Sequence, residues 1–258
     1  GLAGMQSALT LAQRGHKAEI YERDRLGGQF NLAHLPPHKE SLKELVDYYE
    51  YELDRASIPV RTEEATRELL EGERFDGVFV ATGAEPMIPP IPGLDRYWWA
   101  ESLEEENIPE DRTIVVVGGG LIGIEISAKM VEAGNAVTIV EMFDEVARGM
   151  EMIERSLSLK YLTTHNVPIH TGHKVVNVAP STDGTYTVTI EDKEGARRDL
   201  TGVDHIVLAA GMKSRGELAD QLRERTDGDR PVYLVGDAKK VGKAQTAIRD
   251  AYLTAAEA

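Results

Sequence analysis

The sequence predicts an α/β fold in which one nucleotide-binding domain is interrupted by a second and resumes near the C-terminus. Three observations carry this. Residues 113–141 hold a complete strand, glycine loop, helix and strand in that order. Residues 1–22 hold the same arrangement without its first strand. β-Branched runs ending in glycine, at residues 75–83 and 204–211, and a late run at 232–237 supply the remaining buried strands.

In the central unit, Thr113-Ile-Val-Val-Val117 is an unbroken β-branched run, the pattern of a strand covered on both faces. Gly118, Gly120 and Gly123 place G-x-G-x-x-G at its carboxyl end, with Leu121 and Ile122 between the last two glycines. Ile122, Ile126, Met130 and Val131 then share one helix face, and Gly134 stops the helix. A second β-branched strand ends in Glu141. Each residue type has a physical task. Gly118 makes the tight turn, Gly120 lets backbone approach a pyrophosphate, and Gly123 lets helix and strand pack closely. The pyrophosphate sits on the helix N-terminus, where unpaired N–H groups and the dipole favour an anion. Glu141 lies roughly 20 residues beyond the motif, where an acid accepts bonds from a ribose 2′-OH. An acid there repels a 2′-phosphate, and neither Met142 nor Phe143 offers a cation, so the expected dinucleotide is NADH. The competing reading is a glycine-rich turn without a ligand.

The chain opens Gly1-Leu-Ala-Gly4, runs through a helix containing Ala8, Leu9, Leu11 and Ala12, stops at Gly15 and reaches a strand ending in Glu22. Gly1 and Gly4 stand where the second and third glycines of the motif belong, and Glu22 where the ribose acid belongs, with Arg23 beside it. The missing first strand would be central in such a sheet, and its loss would leave buried backbone unpaired. The expectation is a fragment with more chain upstream.

Between these units, residues 23–31 form a glycine-containing loop, and Pro36-Pro37 breaks the chain. Residues 39–54 read as a helix, 58–60 as a short strand, and 86–93 as a proline-rich crossover marking a domain boundary. Residues 164–169, with strands near 174–178 and 185–190, complete a second sheet around an Asp183-Gly184 hairpin turn. A helix from about Lys243 closes the chain.

With 258 residues and 41% hydrophobic content, the chain suits two soluble domains. A net charge of −15 argues against nucleic acid and anionic membranes as partners. No run approaches the ~20 apolar residues of a membrane span, and a cytoplasmic location is expected. The absence of cysteine removes disulfides, thiolate metal sites and C-x-x-C redox chemistry from this chain. The seven histidines show no metal-ligand spacing. His34 and His38 read as surface residues, Trp98-Trp99 as crossover packing, and Glu104 to Glu106 as a solvated face.

Together, the two Rossmann-like units, the Ala81-Thr82-Gly83 turn and the late Val235-Gly236-Asp237 resemble the two-dinucleotide-binding-domain flavoproteins, over essentially the whole chain. The resemblance implies an NAD(P) domain at 109–214 inserted into an FAD domain formed by 1–108 and 215–258. It implies that Gly236 and Asp237 contact FAD, although an acid after a strand-end glycine also suits a helix N-cap. Gly211, ending another buried strand, joins the expected cofactor-binding residues. The segment Leu26-Gly-Gly-Gln-Phe-Asn-Leu-Ala33, with Pro36-Pro37 and Lys39-Glu40, resembles the C-terminal half of a narrower group: the 2,4-dienoyl-CoA reductases, 2-enoate reductases and trimethylamine dehydrogenases. There an upstream Old Yellow Enzyme-like (β/α)₈ barrel carries FMN and a [4Fe-4S] cluster, expected here only in a missing N-terminal part. Gly28 and Gln29 imply a complete flavin site; a Gln in such a loop also suits a bond to its own backbone.

The implied activity is an NADH-oxidising, FAD-reducing input module of an oxidoreductase that reduces an activated C=C of enoate or dienoyl-CoA type. Electrons would pass from NADH to FAD, cluster, FMN and substrate. Hydride transfer needs stacking and exclusion of water, so no catalytic acid or base is expected. The alternative is a structural module holding ADP in the FAD site of an amine dehydrogenase-like enzyme. A third reading is a pyridine-nucleotide module of glutamate-synthase type. The expected partners are a nicotinamide dinucleotide and the upstream barrel, and a homo-oligomer is compatible with the sequence.

Overall fold

The β-branched run at 113–117 forms β5 (Thr113–Val117) and is almost wholly buried after its first residue. This computed structural model describes the chain except for residues 74, 95–96, 100–106 and 225–229. The expectation for Glu104 to Glu106 therefore lies outside the described residues. Residue contacts divide the chain into one unit of residues 1–34, 41–85 and 212–258 and another of 35–40 and 86–211. The sequence expectation set its boundaries at 108/109 and 214/215.

In the second unit, β5 pairs in parallel with β6 (Ala136–Val140) and β11 (His205–Leu208), and β6 with β7 (Ile169–His170), giving the order β11-β5-β6-β7. Thr113 pairs with Ala136 and Val117 with Val140, so both strands end level beside the glycine loop. Helix α4 (Leu121–Glu132) buries Ile124, Ile126 and Met130, as its apolar spacing requires. Gly134, at φ +83°, ends it. A separate antiparallel sheet, β8 (Lys174–Pro180), β9 (Tyr186–Glu191) and β10 (Arg197–Val203), packs Val175, Val178, Val188 and Ile190 into one core with Val115, Val117 and Ile206. One expectation changes here: of residues 164–169, Thr164 ends a helix, α5 (Met152–Thr164), and the strand is only β7. The sequence reading passed over α5 because its apolar residues lack a core-facing stripe: only Leu162 is buried. Trp98 bridges Val207 and stacks on His205 at 3.9 Å, the packing role expected of the crossover.

In the first unit, α1 (Leu2–Gln13) and α7 (Ala244–Glu257) pack together, and Arg14 donates to the Ala255 and Ala256 carbonyls. Leu2, Met5 and Leu9 of α1 meet Tyr49 and Leu53 of α2 (Lys43–Arg55). Helix α2 begins at Lys43, four residues later than the sequence expectation, after a 3-10 turn over Glu40–Leu42. The parallel strands form two separate pairs: β1 (Ile20–Glu22) with β2 (Val60–Thr62), and β3 (Val78–Val80) with β13 (Val232–Leu234). Two short helices, α3 (Arg67–Gly72) and α6 (Glu217–Arg223), bury Leu70, Ala219 and Leu222 against β3 and β13. A final pair, β4 (Ala84–Pro86) and β12 (Met212–Ser214), lies beside the unit boundaries. Among the described residues, no helix is long and apolar enough to cross a membrane.

Candidate functional site

The two glycine loops are built alike. In the second unit, Gly118 has φ +108°, and a Cβ there would lie 2.3 Å from the Ala209 carbonyl oxygen. A Cβ on Gly123 would lie 2.0 Å from the Gly118 carbonyl oxygen, so helix and loop touch backbone to backbone. Gly120 differs: it is the N-cap of α4, and a Cβ there would meet nothing within 4 Å. Helix α4 starts without a side-chain cap and without an acid in its first turn. No side chain caps its first N–H groups, and the space beside Gly120 is open, an arrangement that suits a pyrophosphate.

Glu141 is 6% exposed. Its Oε2 accepts from the Gly119 N–H at 2.6 Å and its Oε1 from the Phe143 N–H at 2.8 Å. The expected ribose acid is thus also the staple that fixes the glycine loop. Gly119, which the sequence reading treated as a spacer, is a required glycine: a Cβ there would lie 2.5 Å from Val146. Its carbonyl accepts from Ala147 N at 2.7 Å, so residues 146–147 close over the loop. The sequence signal for this was the third consecutive glycine. On the rim, Arg148 lies 4.8 Å over the exposed Phe143 ring, a cation that inspection of Met142 and Phe143 alone did not find. Gly211, at φ +110°, accepts from Met87 N at 2.9 Å.

The first unit repeats the pattern. Gly1 is the N-cap of α1, again with no side-chain cap and no acid in the first turn. Glu22 Oε2 accepts from the Gly1 nitrogen at 3.4 Å and its Oε1 from Asp24 N at 3.2 Å. Each acid accepts through one oxygen from the N–H two residues on; the other oxygen of Glu141 takes the Gly119 amide, whereas that of Glu22 meets the Gly1 nitrogen, one motif position later. Several expected residues gather at this helix start. A Cβ on Gly28 (φ +55°) would be 3.2 Å from the Gly1 Cα, one on Gly4 would be 3.4 Å from the Ala81 Cβ, and one on Gly236 (φ +62°) would be 2.6 Å from the Ala3 Cβ. Gln29 Nε2 donates 2.9 Å to the Ala84 carbonyl, so its bond goes to the segment after Gly83 and not to its own loop.

Asp237 Oδ1 accepts from Gly242 N at 3.1 Å. It is not the cap of α7, whose N-cap is Lys243. Burial pushes its carboxyl above the ordinary range, and the Gly242 N–H offsets this only partly. Thr82 donates to the Arg215 carbonyl, and Gly83 accepts from Arg215 N at 3.0 Å, which pins the turn to the chain returning after β12. Arg23 does not join the cluster and instead lies 3.9 Å from Glu64. His38 is exposed as expected, whereas the His34 Nδ1 is buried and has no partner among the described residues. Among those residues, no cluster of His, Asp and Glu could hold a metal ion.

Comparison with known proteins places this arrangement. The family described as Pyridine nucleotide-disulphide oxidoreductase matches residues 1–251. The chain is 34% identical to an NADH oxidase of Thermoanaerobacter brockii over 263 residues, which cover 99% of this chain and 39% of the relative. It is 31% identical to a bilirubin reductase of Mediterraneibacter gnavus, again over 99% of this chain and 39% of the relative. Among solved structures, a 2-naphthoyl-CoA reductase superposes with a TM-score of 0.86 at 26% identity, over 100% of this chain and 38% of that one. Histamine dehydrogenase from Rhizobium sp. 4-9 shares the fold, with a TM-score of 0.84 at 21% identity over 100% and 42% of the two chains. The chain thus spans about two-fifths of the length of these relatives. Two glycine-loop helices start without side-chain caps, and the chain belongs to the pyridine nucleotide-disulphide oxidoreductase family.

Proposed function

We propose that this chain is the NADH-oxidising, FAD-reducing input module of a larger multi-cofactor flavin oxidoreductase. The first unit would hold FAD, through Gly1, Gly4, Glu22, Gly28, Gln29, Ala81, Thr82, Gly83, Gly236 and Asp237; Arg23, turned to Glu64, is left out of this set. The second would hold NADH, through Gly118, Gly120, Leu121, Ile122, Gly123, Glu141 and Gly211. The observation that carries the reading is the pair of glycine-loop helix starts without side-chain caps, which suits two dinucleotide pyrophosphates. Among the described residues Glu141 accepts two backbone bonds, so its carboxylate retains lone pairs for the adenosine ribose hydroxyls, and its charge disfavours a 2′-phosphate. FAD, when bound, supplies the hydride acceptor; the chain binds and orients the two dinucleotides and excludes water.

The proposed destination of the electrons is an activated C=C, reduced in an upstream barrel carrying FMN and a [4Fe-4S] cluster, in the cytoplasm. Support comes from the reductase names among the relatives, which include a cinnamate reductase of Clostridium sporogenes at 28% identity, and from the three-fifths of their length outside this chain. Disulfide exchange is not proposed, since the chain contains no cysteine.

The test uses the full-length protein. Its cofactors are released by denaturation and identified, and NADH or NADPH is added anaerobically while flavin absorbance is followed. Released FAD that bleaches faster with NADH is the expected result. Release of ADP in place of FAD, with no bleaching, would overturn the reading in favour of a nucleotide held only as structure.

A further inference from the structure

The loop that follows β1 runs to His34, and residues 26–34 all belong to the first unit. It is held at several points. Leu26 and Phe30 pack against the core that Leu2, Met5 and Leu9 build. Asn31 Nδ2 donates to the Leu26 carbonyl at 2.7 Å, so the loop closes on itself. Gly28 packs on the Gly1 Cα at the start of α1, and Gln29 is tied to the Ala84 carbonyl. A 3-10 turn over Gly28–Leu32 carries the chain to Ala33, whose N–H donates to the Phe30 carbonyl at 3.0 Å. His34 follows at once and has little freedom to swing away.

The His34 Nδ1 is buried, yet among the described residues it has no hydrogen-bond partner. The only other such side-chain atom there is Ser7 Oγ. Ser7 lies within α1, and a helical serine can turn its hydroxyl to a carbonyl of the preceding turn. An imidazole at the end of a loop lacks that outlet. Folded proteins rarely leave a buried polar atom unpaired, because losing its water costs more than one hydrogen bond gains. The loop that carries this atom packs on the very residues, Gly1 and Ala84, that stand at the helix start and beside the Gly83 turn.

We propose that His34 is a further FAD ligand, its Nδ1 completing its hydrogen bonding on a polar atom of the bound flavin. The proposal rests on the functional reading above, which gives FAD to this unit. An isoalloxazine ring offers carbonyl oxygens, ring nitrogens and an imide N–H, and an imidazole nitrogen serves either kind according to its tautomer. The role is binding, with no proton transferred. It has a signature: the unpaired nitrogen destabilises the protein without FAD and is satisfied in the protein with it. Removing the imidazole therefore moves two properties in opposite directions.

The test uses the full-length protein, stripped of FAD and reloaded. Stripped His34→Leu should melt at the temperature of the unaltered protein or higher, yet bind FAD roughly tenfold more weakly, the scale of one lost hydrogen bond. The FAD midpoint potential should move by about 30 mV, which is tenfold for a two-electron couple. His34→Asn places an amide where Nδ1 stands and should restore affinity and potential; His34→Gln, which reaches towards the Nε2 position, should not. If His34→Leu does not fold, the Asn and Gln variants carry the same contrast. A side chain that only fills space would lower the stripped melting temperature on replacement and leave FAD affinity and potential unchanged. That result overturns the proposal, as does rescue by Gln in place of Asn. If the unaltered protein takes up no FAD, the functional reading falls and this ligand with it, whereas normal uptake with an indifferent His34→Leu removes the ligand alone.

Discussion

Glu141 joins a fold role to the proposed ribose contact in one carboxylate. Its position after β6 is what suggested that ribose contact from the sequence. The staple to Gly119 was not legible, because a sequence does not show which N–H a left-handed turn leaves over. The two roles make a charge reversal costly. Glu141→Arg should exchange NADH preference for NADPH preference, yet also strand the buried Gly119 N–H, at about 1–3 kcal/mol. Steady-state kinetics with both nucleotides and a thermal melt separate the two effects; an unchanged preference would refute the ribose assignment. Asp237 shows the opposite balance. Because burial raises its folded pKa, its contribution to stability is complete below the ordinary carboxylate range and is lost as pH rises through the raised value. Asp237→Asn should therefore leave the melting temperature at neutral pH unchanged or higher. It should also weaken FAD retention by roughly tenfold or more, the scale of a hydrogen bond to a charged group. Full retention of flavin on gel filtration would count against the contact.

At the scale of elements, the strand, loop and helix of residues 113–132 were readable because each has its own periodicity and the glycines fall between them. The structure divides the glycines by task. Gly120→Ala meets open space in the protein and should leave stability unchanged, while NADH affinity falls roughly tenfold, or 1.4 kcal/mol. Gly123→Ala forces a Cβ into the Gly118 carbonyl and should cost about 1–3 kcal/mol or more in stability. Calorimetry and nucleotide titration of the two variants check this contrast. Elements with weak patterns escaped the sequence reading: α5 buries one residue, α3 is six residues long, and β10 exposes most of its length. In each, tertiary pairing and not local periodicity selects the conformation.

Across the whole molecule, the interrupted plan was legible from the paired motifs, whereas the grouping of residues 35–40 with the second unit was not. A six-residue stretch with two prolines has no periodicity to betray which contacts it makes. Two units with separate cores should unfold in two steps, against the single transition of a small domain. Saturating NADH should raise one transition and FAD the other, each by about 3 kcal/mol at a hundredfold excess over Kd. Differential scanning calorimetry with each ligand tests the assignment, and one transition responding to both would refute it.

The separate strand pairs of the first unit have a practical consequence. Among the described residues, β1 pairs only with β2 and β3 only with β13, so each pair leaves one ladder of β1 and β3 without a strand. Unmated backbone donors and acceptors are templates for any extended segment nearby. In the second unit β11 and β7 are the corresponding edges of a four-stranded sheet, so the first unit concentrates more of its open ladders on short strands where an added segment would find its partners.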